Sequence, residues 1–200
     1  YVMNADGSGE TLLTDKAGKQ WSPTWSPDGQ RIIYVAEEEN AFYIINADGT
    51  GKTRLPIPGS NLSAPAWSPD GRRLAYTTGQ DGTWEVHTAN LDGSDDVNVT
   101  NGAGSDHQPA WSPDGRQIAI YASREETNTF DIYVITGNAE GSFGPDSSVR
   151  RLTLTPDDGS GRNNYRPGWS PDGKQIVFSS DGDRNRGIWV VNADVSKLTQ

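Results

Sequence analysis

PAWSPDGRRLAYTT, residues 65–78, recurs without a gap as PTWSPDGQRIIYVA (23–36), PAWSPDGRQIAIYA (109–122) and PGWSPDGKQIVFSS (167–180). Its centre is a turn with a physical logic. Pro69 presets φ for the second position of a type I turn, Asp70 suits the third, and Gly71 accepts the left-handed backbone that follows. The strand after it is rich in β-branched and aromatic residues on consecutive positions. That pattern fits a strand buried on both faces rather than one. The short segment carrying Trp67 is the other arm of the hairpin.

A second hairpin follows each copy: AFYIINADGTGKTRL (41–55), TWEVHTANLDGSDDVNV (83–99), FDIYVITGNAEG running on to VRRLTL (130–154), and GIWVVNADVSKLT (187–199). Asn46-Ala47-Asp48-Gly49 uses the same turn chemistry as Ser-Pro-Asp-Gly. Residues 1–14, YVMNADGSGETLLT, are a further copy of this second hairpin alone. The motif tryptophans lie 67 − 25 = 42, 111 − 67 = 44 and 169 − 111 = 58 residues apart. The first two spacings match the roughly 40–45 residues of a four-stranded propeller blade. The third is stretched by residues 137–149, and Val195 stands where the last copy's turn glycine belongs. The expectation is an all-β chain, a β-propeller of four-stranded antiparallel blades, with four complete blades and an N-terminal half blade. Its repeats run 1–14 (half), 23–56, 65–100, 109–155 and 167–200, in a single domain over 1–200 or a piece of a larger propeller.

Trp-Ser-Pro-Asp-Gly-Arg/Lys with an apolar strand behind it, together with Tyr-Val-Met-Asn-Ala-Asp-Gly and Leu-Thr, resembles the TolB-type, WD40-like propeller repeat. The resemblance covers essentially the whole chain. It implies a propeller, six-bladed in TolB itself, acting as a non-catalytic protein- or peptide-binding scaffold of the bacterial envelope, periplasmic or extracytoplasmic. Similar repeats also form the substrate-gating propeller of prolyl-oligopeptidase-like and tricorn-like peptidases. An extracytoplasmic sensor domain of a membrane signalling protein is a third reading. No signal peptide is legible, and Tyr1 opens in the middle of a repeat.

Labelling the strands of one repeat a, b, c and d, the chain reads c-d and then a-b-c-d four times. The half blade at the start calls for an a–b pair, so self-association through the incomplete blade is one route to closure, because an open propeller exposes sheet faces and edges. In an antiparallel blade the a–b and c–d turns share one end, and the b–c and d–a loops share the other. The first end is uniform, as folding chemistry requires. The second is diverse, and loops on a rigid scaffold carry function. Four residues before each motif Trp stand Trp21, Ser63, His107 and Tyr165. With Gln20, Asp106, Asn164 and Arg166 beside them, these residues are candidates for a partner-binding mouth at the central channel, since aromatics and Arg suit binding hot spots. The alternative is that they plug the channel or pack between blades.

The remaining chemistry is sparse. A formal charge of −10 argues against nucleic acid or an anionic membrane as partner. With no cysteine there is no disulfide framework or thiolate site, and no apolar run spans a bilayer. Gly-x-Ser-x-Gly, Gly-x-Gly-x-x-Gly and phosphate-loop motifs are absent, so no catalytic residues are assigned. Of the two histidines, His87 sits in a c strand as a structural residue, and His107 has no Ser or metal partner in reach of the sequence. Asp28, Asp70, Asp114 and Asp172 occupy the same turn position and are read as turn residues. No cofactor is expected; the one ion considered is a calcium held by Asp181-Gly182-Asp183-Arg184-Asn185 or on the channel axis.

Overall fold

The computed structural model describes residues 1–14, 18–80, 82–100, 104–124, 127–138, 141–144, 147–153, 163–181 and 186–194. Among these residues fifteen strands form four antiparallel sheets. The first joins β1 (Gln20–Trp25), β2 (Arg31–Ala36), β3 (Ala41–Asn46) and β4 (Thr53–Arg54) in sequence order. The second joins β5 (Ser63–Trp67), β6 (Arg73–Gln80), β7 (Thr83–Asn90) and β8 (Val97–Asn98). The third holds β9 (Asp106–Trp111), β10 (Gln117–Arg124), β11 (Thr127–Thr136) and β12 (Ser148–Arg151). The fourth holds β13 (Asn164–Trp169), β14 (Gln175–Ser180) and β15 (Gly187–Asn192). The outer strand expected there, and the turn at Val195, fall outside the described residues, as do 139, 140, 145 and 146 of the insertion. Residues 1–14 make a short antiparallel pair through a single bridge, Val2 to Thr11.

Each Ser-Pro-Asp-Gly turn is closed by the same bonds. In the first, Ser26 Oγ donates to Asp28 Oδ1 at 2.5 Å and accepts from Arg31 N at 2.9 Å, while Gln30 N donates to Asp28 Oδ1 at 3.0 Å. The set repeats at Ser68/Asp70, Ser112/Asp114 and Ser170/Asp172. Bonds from the Ser hydroxyl and a backbone amide hold the Asp28, Asp114 and Asp172 carboxyls below their ordinary range. Gly29, Gly71, Gly115 and Gly173 all have φ between 67° and 71°, the left-handed conformation the turn demands.

The core is divided among the interfaces between sheets. Ile33 and Val35 of β2 and Phe42 of β3 meet Leu62, Trp67, Leu74 and Tyr76 of the next sheet. Ala75 and Val86 meet Ile118, Ile120 and Ile135, and Ala119, Ile132 and Val134 meet Ile176 and Phe178. The opposite face of β2, Ile32, Tyr34 and Ala36, packs with Val2 and Leu13 of the N-terminal hairpin. Consecutive apolar residues are therefore buried on both faces in β2, β6 and β10. In β14 only Ile176 and Phe178 are buried, and Val177 is 40% exposed on a face that no described strand covers.

Indoles stitch neighbouring sheets together. Trp111 Nε1 donates to the Ala66 carbonyl at 3.1 Å, and Trp169 Nε1 to the Ala110 carbonyl at 3.0 Å. Trp67 departs from this: its Nε1 is buried without a hydrogen bond, and the Arg31 guanidinium lies 5.2 Å from the ring centroid. Among the described residues no helix is long and apolar enough to cross a membrane.

Candidate functional site

The inner strands β1, β5, β9 and β13 stand side by side in that order. Every one of them breaks register at the same place, between Trp21 and Thr24, Ser63 and Ala66, His107 and Ala110, and Tyr165 and Gly168. At each break a residue precedes proline with positive φ: Ser22 at 49°, Ala64 at 47°, Gln108 at 48° and Arg166 at 54°. A non-glycine residue rarely occupies that region, and proline pushes its predecessor toward extended backbone. The four strained residue-proline pairs surround one central opening of about 310 Å³. Backbone strain of this kind concentrates where a site must be shaped. The Pro-x-Trp motif thus does more than start a strand: it kinks each inner strand against the axis.

On the loop side of that opening lies an aromatic cluster. His107 stacks on Tyr121 with centroids 5.0 Å apart and planes inclined 19°. Trp84 is 5.6 Å from His107, Phe130 is 5.8 Å from it, and Tyr121 meets Tyr165 edge-on at 5.3 Å. Trp84 is the second residue of β7 and Phe130 the fourth of β11, both at the b–c end of their c strands, and His107 and Tyr165 are the second residues of the inner strands β9 and β13. Three sheets therefore contribute to one half-buried patch. Gly79 makes room for it, because a Cβ there would lie 3.0 Å from Trp84 Cε3 across the β6–β7 pair. Burial among these rings pushes the His107 imidazole down to about 4, so at neutral pH it is an uncharged aromatic. Burial likewise raises the Tyr121 phenol, and it raises Tyr165, with help from the Asp181 carboxylate.

The seven candidates divide three ways. His107 and Tyr165 meet in the cluster through Tyr121, and exposed Arg166 lines the central opening. Trp21 and Gln20 line instead a groove on the free face of the first sheet, where Trp21 is 41% exposed beside Trp25. Asp106 and Asn164 correct the expectation, since both are buried and turned inward, away from any docking partner. Asn164 Nδ2 donates to Asp131 Oδ1 at 3.1 Å and to Thr153 Oγ1 at 3.2 Å. Asp131 is also held by Thr153 Oγ1 at 2.6 Å and by the Arg151 guanidinium, which pairs with its other carboxylate oxygen. That clasp ties the third sheet to the fourth, and a buried polar network survives only when satisfied in this way.

Sequence reasoning missed Trp84, Tyr121 and Phe130. Aligning the c strands would have raised Trp84 and Phe130, which share one position with Asn40; Tyr121, on the b strand β10, carries no such signal. His87, expected to be structural, pairs its Nδ1 with Asp96 Oδ1 at 3.1 Å, just before β8. The proposed calcium loop lies outside the described residues from 182 to 185. Among the described residues no three His, Cys, Asp or Glu side chains gather as metal ligands.

The family model described as the TolB beta propeller domain matches residues 1–200. No curated protein matches the chain. Among solved structures, TolB from Acinetobacter baumannii is 23% identical with a TM-score of 0.73, over 95% of this chain and 47% of that one. A putative TolB from Agrobacterium tumefaciens is 25% identical with a TM-score of 0.75, over 94% of this chain and 63% of that one. The dihydro-heme d1 dehydrogenase NirN in complex with DHE is 15% identical with a TM-score of 0.60, over 91% and 36%. The chain spans about half to three-fifths of the length of the first two.

Proposed function

The chain belongs to the TolB β-propeller domain family, and from that premise we propose that it is a non-catalytic scaffold whose partner is a protein or peptide segment. The partner docks on the loop face, over the aromatic cluster and the central opening, in the bacterial envelope outside the cytoplasm. The observation that carries this reading is the half-buried cluster of Trp84, His107, Tyr121, Phe130 and Tyr165, drawn from three sheets onto one face. Rigid aromatics with a polar tip bind at small entropic cost, and interfaces favour them. An uncharged His107 adds apolar surface and no repulsion. Exposed Arg166, on the rim of the opening, supplies a charged anchor beside this patch.

Catalysis is not part of the proposal. NirN shares the strand arrangement at an identity that speaks only for the fold. The aspartates that recur through the chain are bonded into turns. The test is selection of binding peptides from a random displayed library, followed by titration against variants. Tyr165→Ala and Trp84→Ala are each expected to weaken the selected peptides about tenfold or more with the circular dichroism spectrum unchanged. Lys174→Glu, on the turn face, is expected to leave them unchanged. Binders indifferent to the first two and sensitive to the third would move the site to the other face and overturn the reading.

A further inference from the structure

The second and third sheets meet differently from the first and second, and the difference leaves a charge without a partner. The b strands β2, β6, β10 and β14 begin with Arg31, Arg73, Gln117 and Gln175. Arg31 lies over the Trp67 ring of the next sheet. Gln117 Nε2 donates to Thr136 Oγ1 at 3.0 Å on the neighbouring c strand. Arg73 makes the second kind of contact, from Nη2 to Thr88 Oγ1 at 2.8 Å, and not the first. The ring that would receive it, Trp111, is met edge-on by Phe143 at 5.3 Å, with the planes inclined 89°. Phe143 belongs to the insertion 137–149 and is buried. The insertion is tied down by its own bonds: Ser142 N donates to Asn138 Oδ1 at 2.9 Å, and Gly137 N to the Arg116 carbonyl at 3.1 Å.

Arg73 is thus a half-buried cation with little to neutralise it. Its Nε is buried without a hydrogen bond, and no carboxylate among the described residues lies within ion-pair distance. A guanidinium keeps its charge and offers five donors in a fixed fork, so one bond to Thr88 leaves it short of acceptors. It lines a cavity of about 230 Å³ between the Ser-Pro-Asp-Gly turns of the two sheets. Trp111 and Gly141 of the insertion line the walls, and exposed Asp70, Asp114 and Arg116 stand at the rim. In each aspartate Oδ1 is taken by the turn, which leaves Oδ2 open to a ligand.

The charges decide what fits. Two arginines and two aspartates leave the lining with no formal net charge. A multiply charged anion meets two carboxylates at the rim, and a simple cation meets Arg73 inside. A molecule carrying both signs meets neither obstacle. The cavity is also smaller than the roughly 300–1,000 Å³ of pockets for drug-sized ligands.

We propose that this cavity binds a free α-amino acid with an apolar side chain. Its carboxylate takes a charge-assisted bond from Arg73, its ammonium donates to Oδ2 of Asp70 and Asp114, and its side chain lies along Trp111. The site is on the turn end of the sheets, away from the loop-face cluster, and stands or falls independently of it.

The experiment is isothermal titration calorimetry of the intact chain with L-leucine, L-phenylalanine, N-acetyl-L-leucine, L-leucinamide and inorganic phosphate. One-to-one saturable binding of L-leucine or L-phenylalanine is expected. N-acetyl-L-leucine, which lacks the ammonium, and L-leucinamide, which lacks the carboxylate, should each bind at least about tenfold more weakly. Arg73→Gln should weaken the amino acid by a similar factor and keep the fold, because Gln117 makes the same bond to its c strand. Asp114→Asn, whose amide oxygen still accepts the turn bonds, is the second variant and should weaken the amino acid while sparing N-acetyl-L-leucine. Arg72→Gln, exposed and outside the cavity, should change nothing. Saturable binding of neither amino acid, or binding indifferent to Arg73→Gln and Asp114→Asn, would overturn the assignment. So would phosphate or N-acetyl-L-leucine binding as tightly as the amino acid, since the site would then read a negative charge alone.

Discussion

Protonating His107 should loosen the fold well above the pH at which the turn carboxylates titrate. Burial among Trp84, Tyr121 and Phe130 lowers the imidazole from an ordinary 6.5 to about 4. The unfolded chain therefore binds a proton at this site between about pH 6.5 and 4 that the folded chain refuses. Stability from the neutral imidazole is complete above about 6.5 and is lost as the pH falls toward 4. A shift of about 2.5 units corresponds to about 3.4 kcal/mol in the limit, and about 2 kcal/mol is reached by pH 5. Solvent at the exposed part of the ring screens this, leaving about 1–2 kcal/mol. The assay is urea unfolding at pH 7.5 and 5.0 for the native chain and for His107→Phe, which keeps an aromatic ring and removes the titration. The difference between the two pH values should shrink by about 1–2 kcal/mol in the variant. Equal pH dependence in both, or a His107 resonance titrating near 6.5 by NMR, would show that the ring is solvated and refute the cluster as the cause.

Gly71→Val should destabilise by about 1–3 kcal/mol, because φ is 71° and a β-branched residue is strained there; thermal melting checks it, and an unchanged Tm would contradict the turn assignment. Trp169→Phe removes the indole bond to Ala110 and some packing, and should cost about 1–3 kcal/mol in denaturant unfolding. Trp25→Phe, which breaks no such bond, should fall within about 0.5 kcal/mol of the native chain; equal costs for the two would mean that the indole bond is not what matters.

The blades were legible because their determinants are local. Ser26, Pro27, Asp28 and Gly29 form a closed set of bonds within six residues, so four copies of the string announce four copies of the turn. Burial on both faces was legible too, since β2 and its counterparts carry apolar residues in unbroken runs. It failed at β14 because QIVFSS has the same local pattern, whereas exposure of Val177 depends on what stands opposite. No residue of the strand carries that information.

The mouth was harder for the same reason. Position alone put Trp21, Ser63, His107 and Tyr165 in one ring, but equivalent positions in a repeat are equivalent only where each has a neighbour. His107 and Tyr165 each have a preceding sheet to pack against and are drawn into the cluster, whereas Trp21, with only the hairpin 1–14 before its sheet, faces the groove. Adjacent positions also diverge in chemistry. Asn164 found an acceptor in Asp131 and turned inward, which a reading of d–a loops as surface could not foresee. The strain at Ser22, Ala64, Gln108 and Arg166 was hidden more deeply, because a residue before proline is expected to be extended. Four unrelated side chains adopt the same unfavourable φ, so the conformation is imposed by the packing of inner strands around the axis and not by the residues themselves. A scaffold that enforces one backbone shape on Ser, Ala, Gln and Arg alike leaves those side chains free to vary at the opening, and that freedom is what a binding surface on a repeated frame requires.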